Sequence, residues 1–206
     1  MLHFLRQPSR ETAKRTLVFC HGLGDSEQGW TFLQQALGLP WLEVVLVRAP
    51  TEYFGGYSWY DFENPQSVAP DLEVSRRLLG ELLEHLAVPA SQLILGGFSQ
   101  GAVMTLEMTV RAATPWAGSL AVSGYVPLWK EYPQAFGPGL SGQRILATHG
   151  PWDPVLSYET AQRQMLHLKT HGAPLEFETF DKAHDLDMDE ELPRIRAFVS
   201  EGVLAD

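Results

Sequence analysis

Leu93-Ile94-Leu95-Gly96-Gly97-Phe98-Ser99-Gln100-Gly101-Ala102 decides how this chain is read. Residues 93–95 are a short apolar run of the kind that forms a buried strand, and residues 102–112 read as a helix. Between them lies Gly97-Phe98-Ser99-Gln100-Gly101, a Gly-x-Ser-x-Gly turn. Strand, turn and helix together describe a nucleophile elbow, in which the serine sits in strained backbone and its hydroxyl is thrust into a cleft. Glycine is needed at both ends because a Cβ there would strike the neighbouring strand and helix. The five residues alone also suit an ordinary strand-to-helix turn with Ser99 as a cap. The rest of the chain separates the two readings.

Similar apolar runs, rich in β-branched residues, occur at 16–19, 44–47, 119–122, 145–147 and 175–180. Most are continuous rather than alternating, as in strands covered on both faces. Helical patterns lie between several of them. Residues 71–86 carry Leu72, Leu78, Leu79, Leu82, Leu83 and Leu86 near a 3.6-residue period. Residues 158–170 place Ala161, Met165 and Leu168 on one face before a His171-Gly172 stop. Residues 192–199 read as a closing helix with Pro193 in its first turn. Strands alternating with helices predict an α/β fold, a mostly parallel central sheet with helices on both faces. With no repeat or linker to divide 206 residues, a single domain over 1–206 is expected.

In such sheets the working groups gather at the C-terminal ends of the strands. After the strand at 16–19 comes Cys20-His21-Gly22-Leu23-Gly24-Asp25, and after that at 119–122 comes Ser123-Gly124-Tyr125-Val126-Pro127. The next strands are followed by His149-Gly150-Pro151-Trp152-Asp153 and by Asp181-Lys182-Ala183-His184. Polar and glycine-rich residues therefore cluster at one end of the sheet, which marks a cleft there.

A net charge of −10 argues against nucleic-acid binding and against electrostatic docking on anionic lipid. It does not exclude brief contact with lipid substrates. Cys20 is the sole cysteine and reads as a small core residue. The first fifteen residues have the wrong order of basic and apolar residues for a signal peptide, and no run reaches the ~20 apolar residues that span a bilayer. A cytoplasmic protein without stable membrane insertion is expected.

A serine hydroxyl needs a base to take its proton and an acid to orient that base. Ser99, Asp153 and His184 follow in the serine–acid–histidine order of α/β-hydrolases, each just after a strand. His21 precedes the serine, and His149 fits a supporting role in its own loop. Asp181 and Asp185 lie near His184 in sequence but not at the strand end where the acid belongs. Two backbone amides stabilise the oxyanion in such sites, one after the nucleophile and one from an early strand loop. Those positions are Gln100 and Leu23, with Gly22 and Gly24 letting the chain turn inward. Asp185, Asp187 and Asp189 alternate as in a calcium loop. Glu190 stands where that loop needs glycine, and a solvated face and the acidic first turn of the last helix is the reading. No metal and no cofactor is expected.

These pieces resemble the acyl-protein thioesterase, lysophospholipase and small carboxylesterase group of α/β-hydrolases. The resemblance rests on His21 to Asp25, Arg48-Ala49-Pro50, Ser58-Trp59-Tyr60-Asp61 and Gly97 to Ala102, then Ser123 to Pro127, His149-Gly150 with Asp153-Pro154-Val155, and His184. It implies an α/β-hydrolase fold without a large cap domain and hydrolysis of acyl esters or thioesters through an acyl-serine. It implies Ser99, Asp153 and His184 as the triad and the Leu23 and Gln100 amides as the oxyanion hole. Gly22, Trp59, Tyr125 and Val126 would bind substrate, and residues 53–59 would form a mobile loop beside the acyl site. The implied partner is a small-molecule or lipid acyl ester, or an acylated protein, and a homodimer is compatible. Ala183 and Asp185 stand where relatives commonly have glycine and glutamate, and Trp152 would narrow the cleft. The alternatives are a dienelactone hydrolase- or peptidase-like enzyme on the same fold, or a non-catalytic binding protein.

Overall fold

The structure, a computed structural model, describes residues 1–203, so the last three residues of the domain expected over 1–206 lie outside the described residues. The chain runs through β1 (Phe4–Gln7), β2 (Arg15–Cys20), α1 (Leu33–Leu37), β3 (Leu42–Val47), β4 (Thr51–Tyr53), β5 (Gly56–Ser58) and α2 (Pro65–Leu86). It continues through β6 (Leu93–Phe98), α3 (Gln100–Val110), β7 (Gly118–Val122), β8 (Ile145–His149), α4 (Tyr158–Thr170), β9 (Leu175–Thr179) and α5 (Glu191–Ser200). One sheet has the order β1-β3-β2-β6-β7-β8-β9, parallel throughout except for β1 against β3.

The sheet order explains where the cleft lies. From β2 the chain moves outward to β3 and then returns to β6 on the other side of β2. That reversal is a topological switch point, and the loops after β2 and β6 diverge there. Cys20 pairs with Gly97 and Phe98 with Val122, so the loops carrying Leu23, Ser99 and Ser123 leave one edge side by side.

Strand residues alternate between two covered faces. Leu17, Phe19, Val44, Leu46 and Ile94 pack with Leu33 and Leu37 of α1 and Ile195 and Phe198 of α5. Val18, Cys20, Val45, Val47 and Leu95 pack with Leu72, Leu79 and Leu82 of α2 and Val103 and Met104 of α3. Met165 and Leu168 of α4 cover the β7–β9 end on this second face. Each fully buried Leu or Val contributes about 1.5–3 kcal/mol relative to exposure. The α/β-hydrolase fold expected from the alternation is present, with no large cap domain inserted among the described residues. No helix among them is long and apolar enough to cross a membrane.

Two segments differ from expectation. The helix read as starting at residue 71 begins at Pro65, capped by the Asn64 side chain, which accepts from the Gln66 amide. Pro65 needs no donor in the first turn, and Pro70 costs the helix only one bond near its start. Residues 53–59, read as a loop, belong largely to a β4–β5 hairpin turned at Phe54 (φ 43°) and Gly55 (φ 88°). The Tyr57 amide and carbonyl bond back to Asp25 and Gly24, so the hairpin braces the loop after β2.

Candidate active site

Ser99 has φ 54° and ψ −116°, a region that costs a side-chain-bearing residue about 1–3 kcal/mol. Its amide donates to Val122 O at 2.9 Å, and its carbonyl accepts the first bond of α3 from Val103 at 3.1 Å. A Cβ on Gly97 would fall on the Gly101 carbonyl, and one on Gly101 would fall on the Cys20 carbonyl at the end of β2. The pattern's glycines are therefore what lets strand, turn and helix approach this closely.

The loops after β8 and β9 bring Asp153 and His184 to this turn. His184 Nε2 lies 3.0 Å from Ser99 Oγ, and His184 Nδ1 lies 2.7 Å from Asp153 Oδ2. Phe98 packs on the His184 ring at 4.9 Å and on Trp30 at 5.4 Å, which fixes the imidazole from one side. The Asp153 side chain is fully buried. Burial opposes its charge, but the Leu156 amide, His184 and the Val155 amide outweigh it and hold the carboxyl below its ordinary range. Both amides donate to Oδ1 at 2.8 Å.

The competing residues are engaged elsewhere. Asp181 accepts from Trp152 Nε1 at 2.5 Å, which holds Trp152 outside the cleft wall it was expected to narrow. His21 Nδ1 lies 2.6 Å from Gly22 O, while its Nε2 accepts from the Ala49 amide at 3.0 Å. That makes it a neutral ring, and burial lowers its pKa. It anchors the loop that carries Leu23.

Ser99, His184, Gly22, Leu23, Gln100 and Tyr125 share a cleft of about 450 Å³ whose remaining wall is largely apolar. The Leu23 amide has no protein partner among the described residues. The Gln100 amide opens α3 and has no acceptor one turn back. Two free donors thus flank the serine. The Gln100 side chain does separate work. Its Oε1 accepts from the Trp59 amide at 2.9 Å and Ser58 Oγ at 3.2 Å, and its Nε2 donates to Tyr60 O at 3.0 Å. This clamps the segment after β5 against the elbow.

Two of the expected substrate contacts, Trp59 and Val126, lie outside the residues that line the cleft. Trp59 is 1% exposed and packs in the core against α2, with Nε1 on His21 O at 2.9 Å, so it supports the loop from behind. Tyr60 beside it faces the cleft and donates to Tyr125 Oη at 2.7 Å. Val126 is fully buried in the cluster under α4, its amide on Gln164 Oε1 at 2.8 Å. Tyr60 takes the cleft position beside Trp59, and Tyr125, itself among the expected contacts, lines the cleft beside Val126.

Sequence reading also missed the support beneath His184. Lys182 Nζ bonds the Glu191 carboxylate at 2.6 and 2.7 Å and the Asp185 carbonyl at 2.9 Å, with both side chains buried. Asp187 Oδ1 accepts from the Glu190 and Glu191 amides, and Glu191 returns a bond to the Asp187 amide. The acidic run, read as a solvated face and the acidic first turn of the last helix, does open α5 with Glu191, but it also forms a buried ion pair and a helix cap. The one available signal was an acidic pair at the start of an apolar helix, in the manner of a capping box.

The phospholipase/carboxylesterase family profile matches residues 3–202. Acyl-protein thioesterase 1 homolog 1 of Dictyostelium discoideum is 29% identical over 207 residues, covering 92% of this chain and 91% of the relative. The crystal structure of Zea mays acyl-protein thioesterase 2 superposes with a TM-score of 0.82 at 23% identity, covering 96% of this chain and 97% of that one. The Bacillus cereus carboxylesterase gives 0.82 at 19% identity, covering 98% and 94%. The two structures speak for the fold, and the family profile speaks for descent. The chain belongs to the phospholipase/carboxylesterase family, the ester-hydrolysing group of α/β-hydrolases that its motifs resemble.

Proposed function

We propose that this chain is a serine esterase of acyl esters and thioesters, with Ser99 as nucleophile, His184 as general base and acid, and Asp153 as the acid that orients His184. What carries the reading is the continuous line from Ser99 Oγ to His184 Nε2 at 3.0 Å and from His184 Nδ1 to Asp153 Oδ2 at 2.7 Å. An Nδ1 that faces an ionised carboxylate holds its proton, which leaves Nε2 free to accept one from the serine. Ser99 Oγ attacks the acyl carbonyl as His184 takes its proton. The tetrahedral oxyanion receives the Leu23 and Gln100 amides, which have no other acceptor to leave. His184 then protonates the departing alcohol or thiol, and the acyl-serine forms. A water deprotonated by His184 releases the acid and restores Ser99.

The apolar wall around Leu23, Phe98 and Leu156 suits an acyl chain. Thioesters are included because the Dictyostelium and Zea mays relatives bear the name acyl-protein thioesterase. Lysophospholipids and acylated proteins are then natural substrates. We place the reaction in the cytoplasm, in keeping with a lone, buried, unpaired cysteine.

The test is hydrolysis of p-nitrophenyl esters from acetate to palmitate by the wild-type protein and by Ser99→Ala, with matched oxygen esters and thioesters. Short and medium chains should be preferred, and Ser99→Ala should be inactive on all of them. Undiminished turnover in Ser99→Ala would remove the mechanism.

A further inference from the structure

His149 ends β8 four residues before Asp153, and its side chain is wholly buried. Its Nε2 lies 3.2 Å from Asp153 Oδ2 and 3.1 Å from the Leu156 carbonyl oxygen. Both neighbours are acceptors, so Nε2 must carry the hydrogen. Its Nδ1 is buried with no hydrogen-bond partner among the described residues. A proton there would be an unpaired buried donor, which fixes the ring as the neutral Nε2–H tautomer. The groups facing the ring oppose one another, and the net effect lowers its pKa. Burial, the largest influence, lowers its pKa. Asp153 and the Leu156 carbonyl pull upward, and Lys182 and His184 push downward. Tyr158 of α4 covers one side, with ring centroids 6.1 Å apart.

We propose that His149 is a positioning residue for the acid of the triad: its Nε2–H bonds the Leu156 carbonyl and packs 3.2 Å from the same Asp153 oxygen that receives the His184 Nδ1–H. The proposal rests on the triad reading above. Asp153 Oδ1 is pinned by the Val155 and Leu156 amides, His149 holds the Leu156 carbonyl of that same turn, and its ring packs against Oδ2, so the carboxylate is kept facing His184. The Nε2–H dipole beside Oδ2 also lowers its basicity. Without it the carboxylate is both looser and more basic. A looser acid lowers kcat. A more basic one stabilises the His184 imidazolium and moves the acid limb of the pH–rate profile to higher pH. KM is untouched, because His149 does not line the cleft.

The experiment measures kcat and KM against pH with p-nitrophenyl butyrate for His149→Leu and His149→Gln, with thermal melts to establish that each folds. His149→Leu should lose about tenfold in kcat, the worth of one hydrogen bond. Its acid limb should move to higher pH and its KM should hold. The amide of His149→Gln reaches as far as Nε2 and should recover most of the loss. In an Asp153→Asn background the His149→Leu change should cost less than about twofold. Equal loss in the Leu and Gln variants with an unmoved acid limb, or a full further loss in the Asp153→Asn background, would overturn the proposal. Nitrogen-15 NMR of labelled histidine in the unaltered protein reads the tautomer directly, whatever the variants do. The Nε2–H form is expected, and an Nδ1–H or doubly protonated His149 would also overturn it. An inactive Ser99→Ala beside any of these failures would leave the triad standing and remove only the role of His149.

Discussion

Ser99 and the Asp153–His184 pair meet at hydrogen-bond distance, yet they are held by different physics. The serine is placed by the chain immediately around it. Gly97 and Gly101 let β6 and α3 close on each other and on β2, and the strained φ of Ser99 follows from that closure. Asp153 and His184 hang on two loops that share no such short motif. They are placed by polar contacts made at a distance, namely the amides on Asp153 Oδ1, His149 on the Leu156 carbonyl beside it, and the buried Lys182–Glu191 pair under the histidine loop. The first kind of positioning is written in five consecutive residues. The second is spread over about forty.

The contrast can be broken hardest at Asp153. Asp153→Asn keeps its oxygen for the two amides and presents its NH2 to His184 Nδ1. The imidazole then turns to the tautomer that carries its hydrogen toward Ser99. By analogy with serine proteases, kcat should fall about 10⁴-fold while the fold survives. A loss below tenfold in steady-state kinetics would detach Asp153 from the chemistry. The second break is Lys182→Met, which strands the Glu191 charge in the interior. It should cost about 3–5 kcal/mol in urea unfolding. The double variant Lys182→Met/Glu191→Leu should return most of that stability. If its kcat remains low while stability recovers, the ion pair sets the His184 loop geometry and not only its stability.

The same contrast decides what could be read from sequence. The inner strands were legible because they are buried on both faces and read as unbroken apolar runs, and the elbow was legible because its glycines are close together. Gln100 was singled out for its amide alone, and its side-chain clamp on Ser58, Trp59 and Tyr60 was not foreseen. That clamp depends on β5 folding back beside α3, which no local pattern announces. The β4–β5 hairpin was lost because Phe54 occupies a positive-φ position where glycine or asparagine is the usual signal. Glu191 was read as solvent-facing because a buried carboxylate looks like an exposed one until its lysine is placed. Trp59 and Tyr60 were exchanged for a related reason. Both are large aromatics, and only the direction of the backbone decides which faces the cleft.

A third test addresses the elbow side. Gln100→Leu removes the clamp and leaves the buried Trp59 amide and Tyr60 carbonyl without partners. It should cost about 1–3 kcal/mol in chemical unfolding. The backbone amide remains, so kcat should fall far less than in Asp153→Asn. A collapse of kcat comparable to that in Asp153→Asn would mean that the clamp, and not the glycine geometry, holds the oxyanion amides.

The smallest effect is also the one that separates the two sides by a single measurement. His21 braces the Leu23 loop and His149 braces Asp153, and burial lowers the pKa of both in the folded chain. A histidine with a depressed folded pKa takes up its proton in the unfolded chain first. Stability is therefore full above the ordinary histidine value of about 6.5 and is lost as pH falls through it toward the folded value. Urea unfolding from pH 8 to pH 5 should show a decline below about pH 6.5, at most about 1.4 kcal/mol per pH unit for each group. His149→Gln should remove its share of that slope and move the pH–rate profile little. His21→Gln should remove a similar share, and because its ring also holds the Ala49 amide, it should lower kcat through the oxyanion loop without shifting the acid limb. An acid limb that moved with His21 instead of His149 would reverse the assignment, placing the electrostatic tuning on the elbow side and leaving the loops after β8 and β9 a purely structural part.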